Sequence, residues 1–502
     1  VILAPDAELY YDVARKTMFN VDKTLLYYTS PTTEGDYVIP ESVTAILPGA
    51  FAGSGITSIT IPEHFTTIPD EVFKGCTELT SITIGKNVTY IGKSAFEGCT
   101  KLATLTFAPD GTQTLRIGDR AFYGTSALTS VSFPYRLRDT VEEVVVDEIE
   151  IPGVGTIPIT EETVYPGIGE SAFENSGLVT ITYTMPDADV SVDYTSNDPC
   201  TIGARAFYNC TALQTAEFHD LTSGNQSSVD RYVVDEYAFY NCTSLTSIKL
   251  VPYEEGETPE LNFSQCSVGA HAFENCTSLT SFVVPIKLTT FYPYAFANSG
   301  LTSFYIPAMV DPDWGASFGE STVMIGDHVF AGCKDLVTFT SEATMENEYA
   351  LSGEEYGSDY ALNAYAFEGC TSLTTVKFTK ATNMAENVFA GCTALTTVEM
   401  NFVESRRNEA NIGVNAFSGC TQLSSVTLTG MLETIEAGAF ANCTALKAIT
   451  LPVPVTTVAA TAFSGWQEDQ TITVPYASED ALPGSFAAGW SAGAAVVYNA
   501  TA

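Results

Sequence analysis

The chain has 502 residues, 45 % of them hydrophobic, and sets 60 acidic against 21 basic side chains for a net charge of −39. So negative a surface repels phosphate backbones and offers no hold on anionic lipid, which argues against nucleic acid as a partner and against direct membrane insertion. It remains compatible with basic protein partners, with divalent cations and with solubility alone.

No apolar run reaches the roughly 18 residues that a membrane-spanning helix needs. The chain opens Val1-Ile2-Leu3, with neither Met nor a basic, apolar leader, as expected if a targeting segment has been removed or the sequence trimmed.

Residues 1–38 read as an N-terminal cap in which the stretch from Met18 to Tyr28 folds as a hairpin around Asp22. From Ile39 one phrase then recurs. SAFEGCTKLATLTF from Ser94 is matched by YAFYNCTSLTSIKL from Tyr237, HAFENCTSLTSFVV from His271 and GAFANCTALKAITL from Gly438. Its anchor phenylalanine falls at Phe51, Phe73, Phe96, Phe122, Phe173, Phe207, Phe239 and Phe273. It continues at Phe296, Phe330, Phe367, Phe389, Phe417, Phe440, Phe463 and, more faintly, Phe486. Uninterrupted copies are 22 or 23 residues apart, an interval proper to leucine-rich repeats.

Each copy has a physical reading. Leu102-Ala103-Thr104-Leu105-Thr106-Phe107 alternates apolar and polar, the period of a short strand with one buried face. Val88 to Gly92 supplies a second, shorter extended piece, with Gly92 permitting a tight turn. The Ala95-Phe96 pair fills the interior. No single coil can bury both of its walls, so coils must stack, covering Ile91, Phe96, Leu102 and Leu105 with their equivalents. The expected fold is a repeat solenoid, a right-handed stack of β and irregular coils with a long parallel β-sheet on its concave face and little helix. About 15 repeats span residues 39–475.

The segment IPESVTAILPGAFAGSGITSITIP (Ile39 to Pro62) and its copies resemble the BspA-like, or Treponema pallidum-type, leucine-rich repeat. The resemblance covers nearly the whole chain. It implies a secreted or surface-attached bacterial protein, with adhesins for host matrix proteins among its relatives, and it transfers no catalytic residue. The long insertions depart from the family's pattern.

Ten of the twelve cysteines sit three residues after an anchor, from Cys76 and Cys99 to Cys420 and Cys443. Ser54, Thr125, Ser176 and Ser299 hold the same slot elsewhere, so the position asks for a small buried side chain and the thiols are expected to be free. In-register side chains point parallel rather than toward one another, which opposes disulfides between coils. Cys200 and Cys266 share a different phase and are expected to stand too far apart to bridge.

Seven anchor intervals exceed 27 residues, and their extra residues all fall after the main strand and before the next short one. Such insertions emerge along one edge of a solenoid. The largest, residues 134–165, alternates on both sides of Pro152-Gly153-Val154-Gly155 and is expected to form a projecting β-hairpin; it holds eight acids against Arg136 and Arg138. The stretch Ser341 to Tyr360 has six acids, no base, and Tyr349, Tyr356 and Tyr360. A third insertion carries Trp314, an aromatic able to stack on a sugar or anchor a partner, or simply to pack back on the coils.

On the exposed sheet face the first outward position is nearly always Ser or Thr, as at Ser58, Ser81 and Thr104, a structural ladder. The second is Thr or Ser in the first five coils, then Glu217, Lys249, Val283, Tyr305, Thr340, Lys377 and Glu399, before Thr427, Thr450 and Thr473 restore the pattern. Diversity confined to the middle coils is what a binding patch would show. The alternative is drift at tolerant positions, with Glu217–Lys249 and Lys377–Glu399 as cross-strand ion pairs. Residues 476–502 read as a C-terminal cap, with a helical turn within Ser478 to Trp490 and a last strand Ala495 to Tyr498.

No nucleophile elbow, zinc-binding helix motif, phosphate loop or dinucleotide fingerprint occurs. Of the four histidines, His271 and His328 share one variable surface slot two coils apart, too far for a common metal. Asp187, Asp189 and Asp193 hint at calcium but lack the glycine and terminal glutamate of an EF-hand loop. Asn-Cys-Thr at Asn209, Asn241, Asn275 and Asn442 is formally a glycosylation motif but reads as repeat grammar at a turn. No cofactor is implied. The reading is a non-catalytic, extracellular or cell-surface binding protein, adhesin-like, whose partner is a host or neighbouring-cell protein or glycan. Its candidate contacts are Glu217, Lys249, Val283, Tyr305, Lys377, Glu399 and Trp314. The alternative is a structural spacer or self-assembling surface-layer protein.

Overall fold

The structure, a computed structural model, describes residues 9–108, 114–133, 137, 139–151, 155–183, 201–218, 232–250, 266–285, 288–308, 322–345, 362–404 and 409–499. The chain divides into two compact units: Val1–Cys242 with Lys249–Pro252, and Thr243–Ile248 with Tyr253–Ala502.

In the first unit the main strands Glu34–Tyr37, Gly55–Thr60, Ser81–Ile84 and Thr104–Phe107 form one parallel ladder, and Ser130–Phe133, Thr180–Tyr183 and Thr215–Glu217 another. Successive coils pair in the same phase, Ser58 with Ser81 and Ser81 with Thr104. The alternation read in the sequence decides which face is covered. Ile82 and Ile84 are buried while Ser81 and Thr83, alternating with them, stay half-exposed. Leu105 departs from expectation: it is only half-buried. The short strands Thr67–Ile68, Tyr90–Ile91 and Arg116–Ile117 make a second line, extended by single bridges to Ile168, Ile202 and Val234.

The second unit repeats this plan. Ser303–Ile306, Thr338–Ser341, Thr375–Ala381, Thr397–Phe402 and Ser425–Gly430 form its longest parallel ladder. Ala448–Thr450, Thr471–Val474 and Ala495–Tyr498 form its last.

Inside each unit the anchor rings make a column. From Phe51 to Phe239 consecutive centroids lie 5.0 to 5.3 Å apart. From Phe273 to Phe463 they lie 5.0 to 5.8 Å apart. Every one of these rings is fully buried. Each contributes about 1.5–3 kcal/mol from burial alone.

The backbone beside the column makes a third hydrogen-bonded line, invisible as a strand pattern. From Phe51 to Phe207 and from Phe273 to Phe440 the anchor amide donates to the residue before the next anchor, Phe96 to Ala121 O at 2.7 Å and Phe417 to Ala439 O at 2.8 Å. The line survives because the chain turns through positive φ two residues before and two after the anchor. From Phe51 to Phe463 the later slot holds only Gly or Asn, as at Gly98 (φ 75°) and Asn209 (φ 59°), the residues that enter this region most readily. Asn-Cys-Thr is thus a turn, and its asparagines bond to one another: Asn209 donates to Asn175 Oδ1 at 2.7 Å and Asn241 to Asn209 Oδ1 at 2.6 Å.

Gly92 serves a purpose other than the expected turn. Its φ is not positive, and a Cβ there would come within 2.6 Å of Asp70 N and Pro69 C in the preceding coil. It is glycine so that coils can approach.

The ten phased thiols are free and buried. Nine of them donate back to the carbonyl of the preceding anchor, Cys99 to Phe73 O at 3.1 Å and Cys210 to Phe173 O at 3.0 Å. Ser54, Thr125, Ser176 and Ser299 are likewise buried. Desolvation pushes the thiols of Cys210 and Cys333 up to about 11 and that of Cys420 to about 12. Cys200 lies outside the described residues, and Cys266 opens the short strand Cys266–Val268.

Further strands flank the repeat on both sides. Leu9–Asp12, Thr17–Asn20 and Leu25–Thr29 pair antiparallel, one strand more than the expected hairpin. The turn is pinned by Asn20, whose Oδ1 accepts the amides of Thr24 and Leu25 at 2.8 Å. Phe19 and Leu26 carry the burial. At the other terminus Glu479–Ala481 is a 3-10 turn, buried Trp466 donates to Phe440 O at 2.9 Å, and Ala495–Tyr498 pairs with Thr471–Val474.

Candidate functional site

Period-two alternation places the second outward residue of every main strand on the solvent side, so the sheet face can be read coil by coil. In the second unit, register sets Tyr305 opposite Thr340, Thr340 opposite Lys377, Lys377 opposite Glu399, and Glu399 opposite Thr427. Tyr305 is 50 % exposed. Its phenol is held above the usual range by partial burial and by the neighbouring Glu342 carboxylate. Val283 is 46 % exposed and belongs to the preceding coil, which is joined to that of Tyr305 by Thr302 N donating to Thr280 O. Val283 and Tyr305 thus each expose about half of their apolar surface on successive coils, at positions where the first coils carry hydroxyls. Lys377 Nζ lies 3.3 Å from Glu399 Oε2, both about half-exposed.

Glu217 and Lys249 belong to the first unit and form an ion pair of 2.8 Å. The candidate residues of the middle coils are therefore two groups, one in each unit. Trp314, Asp187, Asp189, Asp193 and most of Ser341 to Tyr360 lie outside the described residues.

The inserted hairpin forms as expected: Thr140–Ile151 pairs antiparallel with Gly155–Tyr165, with a bulge between Val145 and Asp147. Its base is held by Asp139 and by Tyr165 against Arg116. Asp139 is 4 % exposed and accepts from Gly167 N at 2.6 Å and Thr201 N at 2.7 Å. Burial pushes its carboxyl up against the pull of those bonds. On the other strand Tyr165 covers the Arg116 guanidinium at 4.5 Å, and Tyr90 lies 4.9 Å from that same group. Arg116 is thereby held between two rings.

The slot before the anchors also holds more than a variable surface residue. His271, Tyr294, His328 and Tyr365 stack face to face at 4.8, 4.7 and 4.9 Å. Glu274 bonds His271 Nδ1, and Glu368 lies 3.7 Å from His328. Reading that slot down the repeats, His-Tyr-His-Tyr, would have revealed the stack. Tyr294 separates the imidazoles, and among the described residues no group of three or more His, Cys, Asp or Glu could hold a metal ion. Beside this stack a shallow groove is lined by Asp327, Asn363, Glu386, Asn411 and Glu436.

Stacked 22- to 23-residue coils with a phased phenylalanine column define a leucine-rich-repeat protein. The BspA-type leucine-rich-repeat region matches residues 24–145, 167–267, 195–312 and 358–469, in six copies. The chain belongs to that family, whose members are generally surface-associated interaction modules.

Among solved structures it is similar to a leucine-rich repeat protein from Bacteroides ovatus at 19 % identity and TM-score 0.42, over 90 % of this chain and 95 % of that one. It is similar to a leucine-rich cell surface protein from Faecalibacterium prausnitzii at 18 % identity and TM-score 0.25, over 99 % and 96 %. A leucine-rich repeat protein of T. pallidum is matched at 16 % identity and TM-score 0.30, over 56 % of this chain and 92 % of that one. No curated protein matches. Among the described residues no helix is long and apolar enough to cross a membrane.

Proposed function

We propose that the chain is a non-catalytic, adhesin-like binding protein displayed outside the cell, which recognises a protein or glycan through the sheet face of its second unit and through its edge insertions. The observation that carries this reading is the break in the hydroxyl pattern. Val283 and Tyr305 present half-exposed apolar surface where earlier coils present Thr60, Thr83 and Thr106. Packing does not ask for them. An aromatic ring with an adjacent aliphatic side chain and a charged pair beyond it offers stacking, apolar contact and polar registration, the elements of a recognition surface. Glu217 and Lys249 offer a second polar contact in the first unit.

The test is attachment to an array of matrix proteins and glycans, run with and without calcium, using the parent chain and Tyr305→Ala, Lys377→Ala and Lys249→Ala. Loss of attachment in Tyr305→Ala with an unchanged melting point supports the face. Loss only on deleting residues 140–165 moves the site to the insertions. Attachment to nothing in the array leaves a structural spacer as the better reading.

A further inference from the structure

Thr140–Ile151 and Gly155–Tyr165 pair only with each other, so both outer edges of this two-stranded ribbon carry unpaired backbone groups among the described residues, over 12 and 11 positions. An isolated hairpin is marginal in water, and a bare edge is a template for another strand. The two edges are not equivalent. Pro158 sits within the second strand opposite Glu148, and the register continues on both sides of it. Proline has no N–H to give to the ladder, so the Glu148–Pro158 pair is one whose amide positions face outward. The second strand therefore lacks a donor midway along its edge. The first strand has no proline from Thr140 to Ile151 and keeps the outward N–H of Glu148.

Charge narrows the occupant. The first strand holds Glu142, Glu143, Asp147, Glu148 and Glu150 with no base, and the second adds Glu161 and Glu162. Register sets the acidic positions Glu143 and Glu162 opposite one another, and no basic residue occurs in either strand. A strand from a second copy would add the same five carboxylates and be repelled. A strand bearing lysine or arginine would be drawn in. The mount suits capture: Asp139 ties the base of one strand to Gly167 and Thr201, and Tyr165 ties the base of the other to Arg116.

We propose that the free edge of Thr140–Ile151 captures an extended, lysine- or arginine-rich segment of a partner protein as an added β-strand. This rests on the reading of the chain as a binding protein and names the partner class of its largest insertion.

The test uses labelled peptides long enough to span the strand: one alternating lysine and valine, and one of equal charge alternating lysine and proline. Fluorescence anisotropy with the full chain is expected to show binding of the first and little of the second, which cannot add to a sheet. Glu148→Pro, which blocks the outward amide and leaves the ladder intact, should weaken the lysine–valine peptide about tenfold. Glu148→Gln, which removes only one charge, should weaken it about two- to threefold. Equal binding of the lysine–proline peptide to the parent chain would overturn the proposal, leaving only diffuse attraction to an acidic surface. So would a Glu148→Pro variant that binds as the parent does. Tyr305→Ala should bind the peptide normally, so failure of the sheet face and failure of the hairpin edge are told apart.

Discussion

The exposed sheet face of the first coils and that of the second unit sit on interiors built alike. Beneath Ser58, Ser81 and Thr104, and beneath Tyr305, Lys377 and Glu399, run columns of buried phenylalanines at nearly equal spacing. Above them one face repeats small hydroxyls while the other carries a phenol, an exposed valine and a charged pair. Coil stacking constrains the inward residues and leaves the outward ones free, so differences there are available for recognition. A Ser/Thr ladder has a structural reading of its own, since Thr favours strands and hydroxyls bond between neighbouring strands.

If the interiors are equivalent, Phe96→Ala and Phe367→Ala should cost about the same, roughly 3–5 kcal/mol each, because both leave a ring-sized cavity in a close-packed column. Urea midpoints with unchanged slopes would measure this. A much smaller loss at Phe367 would break the comparison.

Acid titration sharpens it with two groups of opposite sign in the first unit. Burial pushes Asp235 up to about 6, so the folded chain holds a proton there that the unfolded chain releases. Its contribution is full below the ordinary Asp range and is lost as pH rises through 6. Glu97 is held at about 2 by its bond to the Arg120 guanidinium, so its contribution is present above the ordinary Glu range and is lost as pH falls toward 2. Thermal stability should rise from pH 7 to 5 and fall below about 4. Asp235→Asn should flatten the rise and Glu97→Gln the fall, each relative to the parent.

Smaller effects follow at Cys99, where serine fits the slot as Ser54 and Ser176 do. Cys99→Ser should cost within about 1 kcal/mol, and the native thiols should resist a thiol reagent until the chain unfolds. The smallest belongs to the half-exposed pair: Lys377→Ala or Glu399→Ala should change stability by no more than about 0.5 kcal/mol, by the same melting measurement.

Much of this was legible because it is periodic. The anchor phase, the Cys/Ser/Thr slot and the outward positions follow from counting, and the hairpin from alternation around Pro152 and Gly153. What escaped lies in dihedral sign and in distance along the chain. The slot holding Glu71, Arg120, His271 and Tyr294 takes positive φ, yet those side chains advertise no such preference. Gly92 reads as a turn residue until the neighbouring coil is placed against it. Asp139 finds Gly167 and Thr201 only once the insertion is folded, and the division of the middle face between two units has no mark in the repeat.

The most direct measurement makes the second face like the first: Val283→Thr, Tyr305→Thr, Lys377→Thr and Glu399→Thr in one chain, compared with the parent for partner binding and melting point. The account predicts that binding is lost while melting shifts by only a few degrees (~2–4 °C). Undiminished binding by this hydroxyl-faced chain would contradict it.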